Sequence, residues 1–127
     1  SAQQDGVVPG GGLTLYRLSK TIVEDCSDLK LTAEQQYAAD IFLDVLQSPM
    51  RAMAENAGYC YEEVDEMICN KPVDIGFNFL TGDSVDMYDS GIIDPAKVTK
   101  NALRNAVSAA GTLLTTNFAI IEDDRQD

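Results

Sequence analysis

Three consecutive glycines, Gly10 to Gly12, constrain this chain more than any other feature of its sequence. Glycine has no Cβ and is costly inside a helix, so a run of three cannot form a helix interior. Apolar residues resume at Leu13 and recur with helical spacing, which predicts a helix over about 13–24. The glycines are therefore interpreted either as a tight turn into that helix or as a stretch whose backbone approaches a ligand.

Caps and prolines divide the next part of the chain. Thr32 and Gln35 have the spacing of a capping box, which predicts a helix that starts there and ends just before Ser48. Because proline disfavours helical geometry at the preceding residue, Ser48-Pro49 is expected to end that helix. The same pair is expected to start a second helix, with Ser48 as its N-cap, that stops at Gly58.

The remaining segments predict a hairpin, a long helix and a terminal strand. A short helix over about 61–70 precedes alternating apolar residues and a Thr81-Gly82-Asp83 turn signal, which predict a small β-hairpin. Asp94-Pro95 has the form of an N-cap followed by proline at the first helical position, and predicts a helix over about 95–115. Phe118–Ile121 is expected to form a short strand with no evident partner in the chain.

Composition and charge exclude several classes of function. The net charge of −12 repels phosphate backbones, so no nucleic-acid partner is expected. No apolar run approaches the roughly 20 residues that span a membrane, so no membrane partner is expected either. The absence of histidine argues against a typical zinc site and against Ser-His or Cys-His catalysis. Cys26, Cys60 and Cys69 have no CxxC spacing and are predicted to be reduced thiols.

Four stretches, taken in order and spacing, resemble the group I (GroEL-like) chaperonins, and the match runs from about residue 5 to residue 122. They are Gly6–Gly12; Ser48–Arg51 with Asn56–Gly58; Gly76–Asn78 with Thr81-Gly82 and Val85–Met87; and Gly91–Thr99 with Ala102-Leu103, Asn105-Ala106 and Leu113–Thr116. The resemblance implies that residues 1–127 are the C-terminal portion of an equatorial, ATP-binding domain. The implied fold is mainly α-helical, with a small β-hairpin and a C-terminal strand. It also implies that the N-terminal equatorial, intermediate and apical segments lie outside this chain.

The resemblance further implies nucleotide-binding roles for Gly11, Asn78, Phe79, Leu80 and Asp94. At the position matching Gly11, the missing Cβ lets the backbone lie against a ribose or phosphate. The adenine would lie beside Asn78–Leu80, where the family usually has small residues after the asparagine. Phe79 would then stack on the base, narrow the pocket or belong to the hairpin core. Asp94 matches an acidic residue that binds the ribose hydroxyls, a role compatible with capping a helix.

The resemblance also implies what the complete protein assembly is and does. It would be an ATP- and Mg²⁺-dependent chaperonin of seven-membered rings stacked in pairs, which folds non-native polypeptides with a co-chaperonin in the bacterial cytoplasm or an organelle matrix. Arg51 and the turn Gly58–Cys60 would lie where two rings meet, although Arg51 also fits an exposed helix charge. Neither metal ligands nor catalytic residues are expected in this chain. Alone, it is therefore expected to show no ATPase, very weak nucleotide binding and no heptamer.

Two other functions remain open. The first is a stand-alone helical interaction module that has lost nucleotide binding, which Phe79-Leu80 and the acidic charge favour. The second is a small-molecule enzyme, against which the absence of histidine and of clustered carboxylates argues.

Overall fold

The fold is mainly α-helical, as the sequence predicts. The computed structural model describes residues 6–126, with side chains described as far as residue 116. Within that part the elements are β1 (Val7–Pro9), α1 (Leu13–Asp25), α2 (Ala33–Asn56), α3 (Tyr61–Ile68), β2 (Ile75–Asn78), β3 (Asp83–Asp86), β4 (Ile93–Pro95) and α4 (Ala96–Gln126). None of the described helices combines the length and the apolarity that crossing a membrane requires.

The strands form two separate antiparallel pairs. Strands β2 and β3 form the predicted hairpin, and Gly82 in its turn has the left-handed φ of 83°. Strands β1 and β4 form the second pair, in which Val8 lies opposite Asp94. Nothing local in the sequence predicts this second pair, because its strands are short and far apart in the chain. It brings the glycine run next to the start of α4.

Helix α2 confirms two predictions and corrects a third. The Thr32–Gln35 capping box is present, and the chain leaves the helix through Gly58 at φ 86°. The predicted break at Ser48-Pro49 is wrong, because α2 runs without interruption from Ala33 to Asn56. Pro49 has no N–H to give to the Val45 carbonyl one turn earlier. The Ser48 hydroxyl donates to that carbonyl at 2.7 Å instead, which offsets the loss.

Two predictions about α4 are also wrong. The expected C-terminal strand Phe118–Ile121 is helical, because α4 continues to Gln126. A helix pairs its own backbone groups, whereas a strand there would have no neighbouring strand in the described part of the chain. Asp94 was expected to cap this helix, but it lies in β4, and α4 begins at Ala96. Among the described contacts, no backbone N–H donates to the Asp94 carboxylate.

The main core lies where α1, α2, α3 and the hairpin meet. Its buried members are Leu13, Tyr16, Met50, Ala54, Tyr61, Val64, Ile68, Phe77 and Met87. A smaller cluster, Leu15, Leu46 and Ala106, joins α1, α2 and α4. Leu13 and Leu15 lie two residues apart in the first turn of α1 and enter different clusters. The start of α1 is thereby fixed against the rest of the molecule.

Candidate functional site

The glycine run is a tight turn that packs directly against helix α2. Gly11 and Gly12 have left-handed φ angles of 64° and 76°, which glycine adopts at little cost. A Cβ on Gly12 would lie 2.8 Å from the Met50 backbone nitrogen, closer than real Cβ atoms come. The turn is therefore required by the packing as well as by the backbone conformation. The Thr14 hydroxyl closes it by donating to the Pro9 carbonyl at 2.9 Å.

The β1–β4 pair places the Asp94 carboxylate against this turn. The Gly10 N–H donates to the Ile92 carbonyl at 2.8 Å, which extends the pairing as far as the glycines. A Cβ on Gly10 would lie 3.4 Å from the Asp94 carboxylate carbon and from both of its oxygens. Glycine at position 10 therefore lets the half-buried carboxylate lie close to the backbone of the turn.

A cavity of about 230 Å³ opens between the turn, α2 and α4, and both Gly11 and Asp94 line it. The other lining residues are Pro9, Gly12, Thr14, Leu15, Pro49, Met53, Val98, Thr99 and Ala102. Asp94 is the charged residue in this mostly apolar wall. Such a surface can accept hydrogen bonds from neighbouring hydroxyl groups while apolar side chains cover the rest of the ligand.

The structure does not bring Asn78, Phe79 and Leu80 into this cavity. The Asn78 side-chain oxygen accepts the backbone N–H groups of Leu80 at 2.9 Å and Thr81 at 3.3 Å, so it holds the hairpin turn. Leu80 is 97% exposed at the tip of that turn. The two regions are nevertheless neighbours, because a Cβ on Gly11 would lie 4.0 Å from the Phe77 carbonyl oxygen.

Phe79 belongs to a cluster of three aromatic rings. Its ring centroid lies 5.0 Å from that of Phe77 and 6.2 Å from that of Tyr59. Tyr59 also reaches the hairpin turn, where a Cβ on Gly82 would lie 2.9 Å from its hydroxyl oxygen. Of the three interpretations of Phe79, the one as part of the hairpin core matches these contacts.

Arg51 has local partners on its own helix and on α3. It forms an ion pair with Asp44 at 3.0 Å, and its guanidinium lies 5.0 Å from the centre of the Tyr61 ring. The Tyr61 hydroxyl donates to the Gln47 side-chain oxygen at 2.7 Å, and burial raises the pKa of Tyr61 to about 12. These contacts match the interpretation of Arg51 as a helix-surface charge.

Sequence reasoning missed several features of this region. The cavity residue Met53 is identified only by long-range packing, since it stands in none of the four stretches. Thr99 ends one of those stretches, but no role at the cavity is predicted for it. Arg17 falls within the predicted helix over about 13–24, where no spacing indicates a special role, yet it is buried. Within residues 6–116, whose side chains the structure describes, no group of three or more His, Cys, Asp or Glu side chains is arranged to hold a metal ion. Cys26, Cys60 and Cys69 are all free.

Comparisons with known proteins identify the family. Residues 1–125 match the sequence model of the TCP-1/cpn60 chaperonin family. A crystal structure of a group III chaperonin in the open state is similar, with 34% identity, a TM-score of 0.73, and coverage of 90% of this chain and 24% of that one. An open-state monomer of a group II chaperonin from Methanococcoides burtonii shows 31% identity, a TM-score of 0.71, and coverage of 87% and 28%.

This chain belongs to the TCP-1/cpn60 chaperonin family. It spans about a quarter of the length of the two chaperonin structures that it resembles.

Proposed function

We propose that this chain supplies the ribose and adenine side of the ATP site in the equatorial domain of a chaperonin subunit. The observation that carries the proposal is that Gly11 and Asp94, far apart in sequence, line one cavity. A carboxylate can accept hydrogen bonds from both ribose hydroxyls, and a glycine backbone can lie against the sugar. The free Asp94 carboxylate is suited to this, because no hydrogen bond within the described residues occupies it.

The cavity fits one part of a nucleotide. Its volume of about 230 Å³ is below the roughly 300–1,000 Å³ of complete small-molecule pockets. Asn78–Leu80, on the neighbouring hairpin, would border the adenine through backbone atoms and the edge of the Phe79 ring. Bound ATP with Mg²⁺ would supply the free energy of phosphoryl transfer. Their phosphate and metal ligands would come from outside the described residues, which contain no cluster of metal-binding side chains.

The proposal extends to the complete chaperonin assembly. In it, residues 1–127 form the C-terminal portion of the equatorial domain, and other segments supply the phosphate side and the surface for non-native polypeptides. We assign the subunit to group I, with seven-membered double rings, a co-chaperonin, and a bacterial cytoplasmic or organelle-matrix location. This assignment rests on the four sequence blocks alone, since the two similar structures come from groups II and III.

One observation favours a second candidate function. Leu80 is 97% exposed while Asn78 is occupied by its own turn, so the hairpin tip presents an apolar side chain instead of an amide. A helical interaction module without nucleotide binding would have such a tip. The titration below separates the two candidates.

The test is an equilibrium titration of the chain with ATP and with 2′,3′-dideoxy-ATP, which lacks the ribose hydroxyls. The unaltered chain should bind ATP weakly and the dideoxy compound about tenfold more weakly. Asp94→Asn should lower ATP affinity about tenfold and leave dideoxy-ATP affinity unchanged. Asp28→Asn, at an exposed loop carboxylate, is the control and should change neither. Equal affinity of the unaltered chain for both compounds, or no binding of either, would contradict the proposal.

A further inference from the structure

Arg17 is a buried cation that has no ionic partner among the described residues. Only 9% of its surface is exposed, whereas the side chain of Lys20, one turn later on α1, is 36% exposed. Desolvation by burial lowers the pKa of the Arg17 guanidinium. Burying an unpaired charge is expensive unless hydrogen bonds replace its hydration. The position of those hydrogen bonds therefore indicates what the residue does.

All of the Arg17 hydrogen bonds go to backbone carbonyls of one segment, Cys69–Ile75. Nη2 donates to Ile75 at 2.6 Å and to Pro72 at 3.2 Å. Nε donates to Val73 at 3.3 Å, and Nη1 donates to Cys69 at 3.5 Å. The three nitrogens of the planar guanidinium thus reach four carbonyls in different directions, which the single ammonium of a lysine cannot do.

This segment connects the end of α3 to the first residue of β2. Strand β2 in turn leads to Asn78–Leu80, and it is pressed against the start of α1. A Cβ on Gly76 would lie 3.0 Å from a methyl carbon of Leu13. Arg17 is on the same helix as Leu13, and that helix begins at the glycine turn. The helix thus contacts β2 at one point and holds the segment that leads into β2 at another.

From these contacts we infer that Arg17 is the positioning residue that holds the β2–β3 hairpin at a fixed distance from the Gly11–Asp94 cavity. The inference rests on the proposed function in one respect: the hairpin carries the adenine side and the cavity the ribose side. Arg17 touches neither the cavity nor residues 78–80. It acts through the carbonyls of Cys69–Ile75, and its removal should let the hairpin move while the glycine turn stays in place.

Hydrogen–deuterium exchange tests the positioning without any nucleotide. Arg17→Lys should raise amide exchange in β2 and β3 about tenfold and leave exchange within α2 unchanged. Arg104→Lys, at an exposed position on α4, is the matched control and should change neither. Equal acceleration in α2 would show that Arg17 only adds global stability, and no acceleration in the hairpin would show that it positions nothing. Either result overturns the inference.

A measurement on the unaltered chain covers the case in which Arg17→Lys fails to fold. The Arg17 Nε–H should exchange slowly with water in a nitrogen-15 NMR experiment, and the Arg104 Nε–H should exchange fast. Fast exchange of the Arg17 Nε–H would directly contradict the hydrogen bonds from Arg17 to the carbonyls of Cys69–Ile75.

ATP titration then separates this inference from the proposed function. Arg17→Lys should weaken ATP binding several-fold, with Arg104→Lys unchanged. If the unaltered chain binds no ATP, the proposed function fails, whereas the hairpin exchange results still decide the role of Arg17.

Discussion

The two sides of the proposed nucleotide site are built in opposite ways. On the ribose side, Gly11 and Asp94 meet through the pairing of β1 with β4, and the carboxylate has no protein partner in the described part of the chain. On the adenine side, Asn78 accepts the turn amides of its own hairpin, and Phe79 packs against the Phe77 ring and against Tyr59 from the loop between α2 and α3. The contrast shows that resemblance to a motif identifies residues, while packing decides which of them have a free functional group.

The largest expected effect compares glycines on the two sides. Gly12→Ala should lower the free energy of unfolding by about 3 kcal/mol or more, because its Cβ would meet the Met50 backbone and its φ is left-handed. Gly82→Ala has a similar φ, but its Cβ would meet the hydroxyl end of the Tyr59 side chain and no backbone atom. It should cost about 1–2 kcal/mol. Urea unfolding of both variants measures the difference. Equal losses would show that the glycine turn is not held more rigidly than the hairpin tip.

Phe79 and Leu80 give the next largest effect and test the packing of the adenine side. Phe79→Ala should cost about 2 kcal/mol, since it removes a partly buried ring from the aromatic cluster. Leu80→Ala is the neighbouring control and should change stability by less than about 0.5 kcal/mol, because that side chain is 97% exposed. Thermal or urea unfolding distinguishes them. A Phe79→Ala variant as stable as the Leu80→Ala variant would mean that the ring is free to bind a base.

A smaller effect is expected at Pro49, in the wall of the ribose side. Ser48→Ala should cost about 1 kcal/mol, because the Val45 carbonyl loses the hydroxyl that replaces the missing proline N–H. In a Pro49→Ala background, the alanine N–H can bond that carbonyl, so Ser48→Ala should cost almost nothing there. The four chains of this double-mutant cycle, unfolded in urea, give the coupling. The same cost in both backgrounds would contradict the role of Ser48.

The difference between the two sides also explains how far the sequence could predict the structure. The Thr32–Gln35 capping box, the Gly58 end of α2 and the Gly82 turn were predictable, because each depends on neighbouring residues with distinctive backbone chemistry. The unbroken α2 was not, since its continuity depends on a hydroxyl that happens to reach the carbonyl that proline leaves unbonded.

In the candidate site, too, local features could be predicted and long-range contacts could not. Gly11 and Asp94 could be singled out from the sequence through the family resemblance, but their meeting depends on the pairing of two three-residue strands. Asp94 illustrates this best. A local pattern predicts that Asp94 caps α4. In the structure, the pairing of β1 with β4 places Asp94 opposite Val8 and in the cavity wall. The Arg17 contacts are equally long-range, and no spacing in the sequence indicates them.

The smallest expected change in unfolding free energy belongs to Asp94, and it accompanies the most direct test of the account. Asp94→Asn should unfold like the unaltered chain, because no described hydrogen bond within the protein depends on its charge. A nitrogen-15 NMR titration with ATP should shift the amide signals of residues 10–12 and 93–95 together, with one weak affinity, and Asp94→Asn should weaken that affinity about tenfold. The loop around Asp28 should not respond. If ATP at millimolar concentration shifts neither segment, or shifts both equally well in Asp94→Asn, this cavity is not the ribose side of a nucleotide site.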